Sequence, residues 1–311
     1  FSVSKDKLSQ IGRAIERAVR NDCEKNITVS FSGGIDSALV AFLASKYTNV
    51  ELIAVGVKDS HDIEAAKSAA KIINLDLTVK ELNDEELISE ASILQKKLKL
   101  TQFEVGFMLP FWVAAKNAKN KILMCGQGAD EVFGGYARFR ESMKNTNLDE
   151  ETKSLLEIIP NREQKISKMF GLKLSCPYLS EEVIQASKLY SQEQHIGIVG
   201  KEKLRKAAIG LGLSERISNR KKKAAQYGSG SQKVLKKKYK YLINFEIPFE
   251  SNKVAESIKK ATDPENDGWV ESSIKDNIFK AKVKAQNMGS LKEAAEDFMS
   301  CISVAEGILK K

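Results

Sequence analysis

Two short stretches hold the residue types that handle phosphates. The first, Ser32-Gly33-Gly34-Ile35-Asp36-Ser37, follows the apolar run Ile27-Thr28-Val29-Ser30-Phe31 and precedes a segment with helical spacing. Its glycines let the backbone approach an anion, its hydroxyls donate, and the amides of the following helix point at the same place. The order lacks the Lys-Ser/Thr of a Walker loop, and it is not a dinucleotide G-x-G-x-x-G. The second stretch, Cys125-Gly126-Gln127-Gly128-Ala129-Asp130-Glu131-Val132-Phe133-Gly134-Gly135-Tyr136, also follows an apolar run directly. In an open parallel sheet the strand ends converge on one edge, so both loops can face one ligand. Asp36 and Asp130 then form a carboxylate pair suited to Mg2+ against phosphate oxygens. The plainer alternative for each stretch is a tight turn with a capping acid.

The elements that must position these loops are readable as alternating strands and helices. Strands are expected at 27–31, 52–57, 77–82 and 121–125, and helices at 37–46, 63–73, 84–98 and 106–119. Such alternation with short connections predicts an α/β fold, an open parallel sheet with helices on both faces. From Asn147 to Lys240 the pattern is mostly helical, an extension of that domain. Near Lys240 the pattern changes: Tyr241, Ile243, Phe245, Ile247 and Phe249 alternate with more polar residues. A helix (254–261), a turn (263–268), strands at 269–274 and 278–285 and a last helix follow, giving a small α+β unit ordered β-α-β-β-α. The expected domains are 1–238 and 239–311. A unit of about 70 residues is small for independent stability and is expected to pack on something or dimerise.

The chain has 311 residues, 42% hydrophobic and 29% charged, with apolar runs far shorter than a bilayer span. No signal peptide is read before the first helix, and the chain begins at Phe1 rather than Met, which fits a processed or trimmed form. Cys23, Cys125, Cys176 and Cys301 form no C-x-x-C pair, which argues against a zinc site or disulfide framework and fits a reducing cytoplasm. The net charge of +9 is local: residues 201–240 carry 14 Lys/Arg and two acids, +12, leaving −3 for the remainder. That stretch reads either as a solvated face or as an attractor of a polyanion such as nucleic acid.

With SGGIDS and GADEVFGGY in this order, residues 1–230 resemble the synthetase domain of the asparagine synthetase family, which includes the β-lactam synthetases. The resemblance implies an adenine nucleotide α-hydrolase-like fold, ATP and Mg2+ as cofactors, and cleavage of ATP between its α- and β-phosphates. It implies nucleotide contacts at Ser32, Gly33, Gly34, Asp36, Ser37, Val55, Gly56, Val57, Cys125, Gly126, Gln127 and Gly128, and metal ligands at Asp36 and Asp130. Arg220-Lys221-Lys222 with Gly228 and Gly230 is similar to the late R-x-K motif, so Lys222, Asp130 and Glu131 are the expected catalytic residues. A lysine in a basic surface run remains the alternative for Lys222.

Departures are informative. Gln127 stands where asparagine synthetases have an acid, and a neutral amide cannot serve as a base. Lys173, Ser175 and Ser180 replace the Glu, Arg and Asp of the family's G-x-E-x-R-x-P-F-L-D stretch. No amidotransferase domain precedes the loop in the chain as given, so ammonia is not expected from glutamine within it. PP-loop enzymes that thiolate tRNA often use paired cysteines, which the spacing here lacks. His61 and His195 are isolated, and surface or capping roles are expected for them.

Residues from about 241 to 311 resemble the small dimer-forming subunit of the KEOPS tRNA-modifying complex, through YLINFEIPF, SNKVAESIKKA and the stretch from Ile274 to Leu309. This implies a homodimer and contact with tRNA. Lys280, Lys282 and Lys284 are expected on the strand face opposite Phe279, Ala281, Val283 and Ala285, where they either bind tRNA or keep an exposed strand soluble. Three functions follow: a cytoplasmic ligase acting on a carboxylate, a tRNA-modifying enzyme docking through 201–240 and the small domain, or a non-catalytic nucleotide-binding partner of a tRNA-modifying assembly.

Overall fold

The computed structural model describes residues 2–141, 147–220, 241–266, 269–285 and 288–309. The chain divides into two compact units, Phe1–Asn83 with Pro110–Ser229, and Asp84–Leu109 with Gly230–Lys311. The expected boundary near residue 238 falls outside the described residues.

The first unit is built on five parallel strands in the order β3-β2-β1-β4-β5, namely β1 (Asn26–Ser30), β2 (Asn49–Val57), β3 (Leu77–Leu82), β4 (Ile122–Met124) and β5 (Lys173–Ser175). The buried run Ile27-Thr28-Val29 forms the central strand; two of its residues are apolar, as a strand covered on both faces favours, and the Thr28 hydroxyl accepts from the Asn120 side chain at 3.1 Å. Helices α1 (Ser2–Asn21), α2 (Ile35–Ala44) and α3 (His61–Ile73) join it in one core, which includes Ile11, Ile15, Leu39, Leu43, Leu52 and Ala66. The chain then passes through α4 (Asp84–Leu98) and α5 (Gln102–Asn117), a helix that contains Pro110. Trp112, near that proline, is buried with its ring edge against Phe170, centroids 4.9 Å apart.

Strand β5 is a difference from the expected helical extension. It has three residues, too few for any period to show, and its edge position is fixed by pairing with β4 at Ile122↔Lys173. Around it run α6 (Ala129–Phe133), α7 (Ala137–Glu141), α8 (Leu148–Ile158), α9 (Glu163–Met169), α10 (Glu181–Ser187), α11 (Gln192–Ile196), α12 (Glu202–Gly210) and α13 (Glu215–Ser218). Ser180 caps α10, accepting from the Val183 amide, and Ser175 donates to Asp22 (2.6 Å). Two of the three replacements in the Gly171–Ser180 stretch thus have structural duties. His195 is not at the surface: it is buried, bonded through Nε2 to the Ser187 carbonyl at 2.8 Å and packed edge-on to Phe133.

In the second unit β6 (Tyr241–Pro248), β7 (Val270–Lys275) and β8 (Ile278–Ala285) form an antiparallel sheet in the order β6-β8-β7. Helices α14 (Asn252–Asn266) and α15 (Met288–Leu309) cover one face, so the β-α-β-β-α order is as expected. The helix α14 runs on through Asp263 and Pro264 to Asn266, where the residue types predict a turn, and Asp263 is paired one turn back with Lys259. Phe279 stacks on Phe298 (centroids 6.1 Å), which also meets Phe245 (5.4 Å) in the core. Lys280, Lys282 and Lys284 do lie opposite the buried Phe279, Ala281, Val283 and Ala285. That face is not uniformly basic, since Glu246 pairs with Lys280 at 2.7 Å and Glu271 with Lys284.

No described helix is long and apolar enough to cross a membrane.

Candidate functional site

Strand order dictates where a site can form. From β1 the chain moves outward through β2 and β3, then returns to β4 on the other side of β1. The β1/β4 boundary is therefore the switch point of the sheet, where the two outgoing loops part and leave a crevice. Both phosphate-type loops leave from these two strands, as the sequence requires.

The first loop is tightened by its own hydroxyls. The Ser32 amide donates to Ser37 Oγ (3.2 Å), Ser37 Oγ donates to the Gly34 carbonyl (3.3 Å), and the Gly34 amide lies 3.4 Å from Ser32 Oγ. Gly33 has φ +70°, and a Cβ there would stand 2.4 Å from the Ala65 carbonyl oxygen of α3. Helix α2 starts from Gly34, which brings no side chain to its first turn, so its leading amides are what an anion would meet. The second loop lies directly on this turn: a Cβ on Gly126 would be 2.8 Å from the Asp36 carbonyl carbon and from the Ser37 amide. Gly126, Gln127 and Gly128 lead from there into α6. Val55, Gly56 and Val57 end β2, the neighbour of β1, with Val55 and Gly56 buried.

The contact that sequence reasoning missed is Lys201. Its Nζ lies 2.6 Å from Asp36 Oδ2 and 2.8 Å from Asp130 Oδ1, with the side chain 2% exposed. Burial pulls its pKa down, but the attraction of Asp130 and Asp36 together outweighs burial and the net shift is upward. Lysine at the head of a basic stretch reads as solvated surface, and no periodicity distinguishes this one. The same holds for Arg205, one turn later, which is buried and donates to the carbonyls of Gly200 (2.9 Å), Ser218 and Arg220 (3.2 Å). Two of the fourteen basic residues counted in 201–240 thus belong to the interior.

Glu131 is not brought to that lysine by any contact described. It is buried and accepts the Tyr136 hydroxyl at 2.6 Å. Burial, then the Glu131 and Asp130 charges, push the Tyr136 phenol far up, so it stays a donor. Arg220 donates to the Gly33 carbonyl (3.1 Å) and toward His61 Nδ1 (3.2 Å), fastening the chain to the first loop two residues before Lys222. Lys222, Gly228 and Gly230 lie outside the described residues.

Cys125 and Cys176 are far apart in sequence, yet their sulfurs are 3.5 Å apart, because β4 and β5 end side by side. A spatial pair therefore exists where spacing showed none. The bond to Cys125 and burial hold the Cys176 thiol well above its ordinary pKa, so it stays protonated and suits packing.

The donors fit Mg2+ held in company with substrate phosphates. Two carboxylates converge, Asp36 Oδ1 is buried without a hydrogen-bond partner, and no cluster of three or more ligating side chains occurs among the described residues. One or two carboxylates plus phosphate oxygens is the usual Mg2+ arrangement, whereas an all-protein cage is not.

Residues 10–159 match the family described as asparagine synthase, and residues 243–310 the family described as transcription factor Pcc1. A provisionally named glutamine-hydrolysing asparagine synthetase 1 of Methanocaldococcus jannaschii is 32% identical over 273 residues, covering 72% of this chain and 50% of its own length. An asparagine synthetase domain-containing protein of Saccharomyces cerevisiae is 26% identical over 289 residues, covering 74% of this chain and 54% of its own. The chain thus spans about half the length of these relatives. Among solved structures, NMN synthetase of Francisella tularensis aligns over 72% of this chain and 76% of its own at 12% identity, with a TM-score of 0.37, too slight a likeness to carry an argument. On the two family matches and the motifs inside them, the chain carries an asparagine synthase domain toward its N-terminus and a Pcc1 domain toward its C-terminus.

Proposed function

We propose that the chain is an ATP-dependent, AMP-forming ligase of the asparagine-synthetase kind. The observation that carries this is the convergence of Asp36 and Asp130 at the β1/β4 switch point, beside a glycine-hydroxyl loop that opens α2. A carboxylate of the substrate attacks the α-phosphate of ATP, pyrophosphate leaves, and an amine then displaces AMP from the acyl-adenylate.

In this reading Ser32, Ser37 and the amides of Gly33 and Gly34 receive the departing pyrophosphate, replacing its water with donors already in place. Val55, Gly56 and Val57 border the adenine. Cys125, Gly126, Gln127 and Gly128 form the opposite wall. Asp36 and Asp130 hold Mg2+, which when bound neutralises charge on the phosphate oxygens. Lys222 stabilises the oxyanion during acyl transfer, with Arg220 anchoring its segment to Gly33. Glu131 acts through its bond to Tyr136, which steadies the Asp130 helix.

The neutral Gln127 and the structural use of Ser175 and Ser180 argue for an acceptor other than plain aspartate. Pyrophosphate release from ATP, measured with free aspartate or with bulk tRNA, separates the alternatives. Release with either supports the ligase; release with neither, beside tight tRNA binding, favours the non-catalytic partner.

The Pcc1 match favours a second element, a homodimer through the second unit that docks tRNA. Glu246 and Glu271 offset two of the three β8 lysines, so the docking charge rests mainly on the 201–240 stretch. Such docking weakens steeply with salt; a flat titration excludes a phosphate-driven contact.

A further inference from the structure

An ammonium group occupies the point where two carboxylates meet, and those are the carboxylates that the ligase reading assigns to Mg2+. Lys201 is held there from several sides. Its backbone is left-handed (φ +57°) at the start of α12, and Arg205 grips the carbonyl of the residue before it at 2.9 Å. A Cβ on Gly135 would lie 1.9 Å from Asp130 Oδ1 and 2.1 Å from Lys201 Cε, so only glycine leaves room for the lysine to reach the pair. Asp36 Oδ1 has no hydrogen-bond partner, so the lysine leaves acceptor capacity unused. The segment leading to it lies at the surface: Gly197 and Gly200 have positive φ, and between them Ile198 is 88% exposed and Val199 53%, while the Gly200 amide bonds the Ile196 carbonyl at 2.9 Å.

A dication cannot share these oxygens with a fixed ammonium, because like charges a few ångströms apart in a buried site repel strongly. We propose that Lys201 is a resident counter-ion that keeps Asp36 and Asp130 closed to divalent cations while no nucleotide is bound. This rests on the reading that the two aspartates are the metal ligands. It adds that metal and nucleotide enter together, the lysine moving from the carboxylates to the incoming phosphates. Lys201 is therefore a positioning residue that decides when the site accepts its metal.

The test uses the metal alone, so its failure is separable from failure of the ligase reading. Mn2+ binding is measured by electron paramagnetic resonance on the full chain without nucleotide, for the wild type, Lys201→Met, and Lys201→Met with Asp130→Asn. Lys201→Met is expected to bind one Mn2+ about tenfold or more tighter than wild type, within the usual range of site coupling, and the double variant is expected to lose that gain. Likewise, the melting temperature of Lys201→Met should climb with MgCl2 while that of wild type stays flat. If Lys201→Met does not fold on its own, MgCl2 should restore folding where KCl of equal ionic strength does not. Tight Mn2+ binding by wild type, unchanged affinity in Lys201→Met, or no restoration by magnesium would overturn the proposal. Failed pyrophosphate release beside a positive Mn2+ result would strike the ligase reading and leave the counter-ion intact.

Discussion

Lys201 and Lys280 both hold carboxylate oxygens within 2.8 Å, yet they do different things for the two units. Lys201 is 2% exposed and answers two aspartates, whereas Lys280 and its partner Glu246 are 42% and 62% exposed. A pair in water gains little, because solvent already serves each charge. A buried arrangement is costly to break, since the partner left behind has neither water nor counter-charge. Charge in the first unit therefore organises a site, while the second unit is held by packed rings and wears its charges outside.

Removing charge from the interior arrangement should have the largest effect. Asp36→Asn is expected to lower pyrophosphate release by about a thousandfold while circular dichroism stays unchanged; turnover at the wild-type rate would refute the metal assignment. Next comes the ring packing of the second unit. Phe298→Ala, which removes the contacts with Phe279 and Phe245, should cost about 3–5 kcal/mol in denaturant titration. A loss below about 1 kcal/mol would mean that charge contributes more there than the comparison allows.

Buried His195 offers a pH test on the first unit. Burial, partly offset by its bond to the Ser187 carbonyl, lowers its folded pKa below the ordinary 6.5. Its neutral form is therefore the one that the fold accepts, and stability from this residue is complete above pH 6.5 and declines as pH falls through the lowered value. His195→Phe should flatten the melting temperature over that interval, and an unchanged slope would assign the dependence elsewhere. The smallest effect is expected at the surface: Lys280→Ala should change stability by under about 1 kcal/mol, and the difference should shrink with added salt.

Much of this was legible in the residues. Apolar runs marked four strands of the first sheet, and β-alternation from Tyr241 to Pro248 marked the edge of the second. Both loops could be placed on one rim from strand–helix alternation alone. What escaped has a common cause. A three-residue strand such as β5 carries no period, and its existence depends on a partner far along the chain. Lys201, Arg205 and the Cys125–Cys176 contact likewise depend on which segments meet, and residue type points the wrong way, toward water for the bases and toward isolation for the thiols.

Lys201 stands 165 residues after Asp36. A loop of that length must close before the pair exists, and its closure costs chain entropy that the contact has to offset. A ribosome that has already delivered the glycine loop, the first aspartate and the second has still not delivered the cation between them. Until it does, Asp36 and Asp130 lack the ammonium that pairs with both. Completion of the first unit, rather than appearance of its signature motifs, is thus the event that sets the site, and a fragment ending before Lys201 should bear every recognisable motif of the loops while lacking their counter-charge.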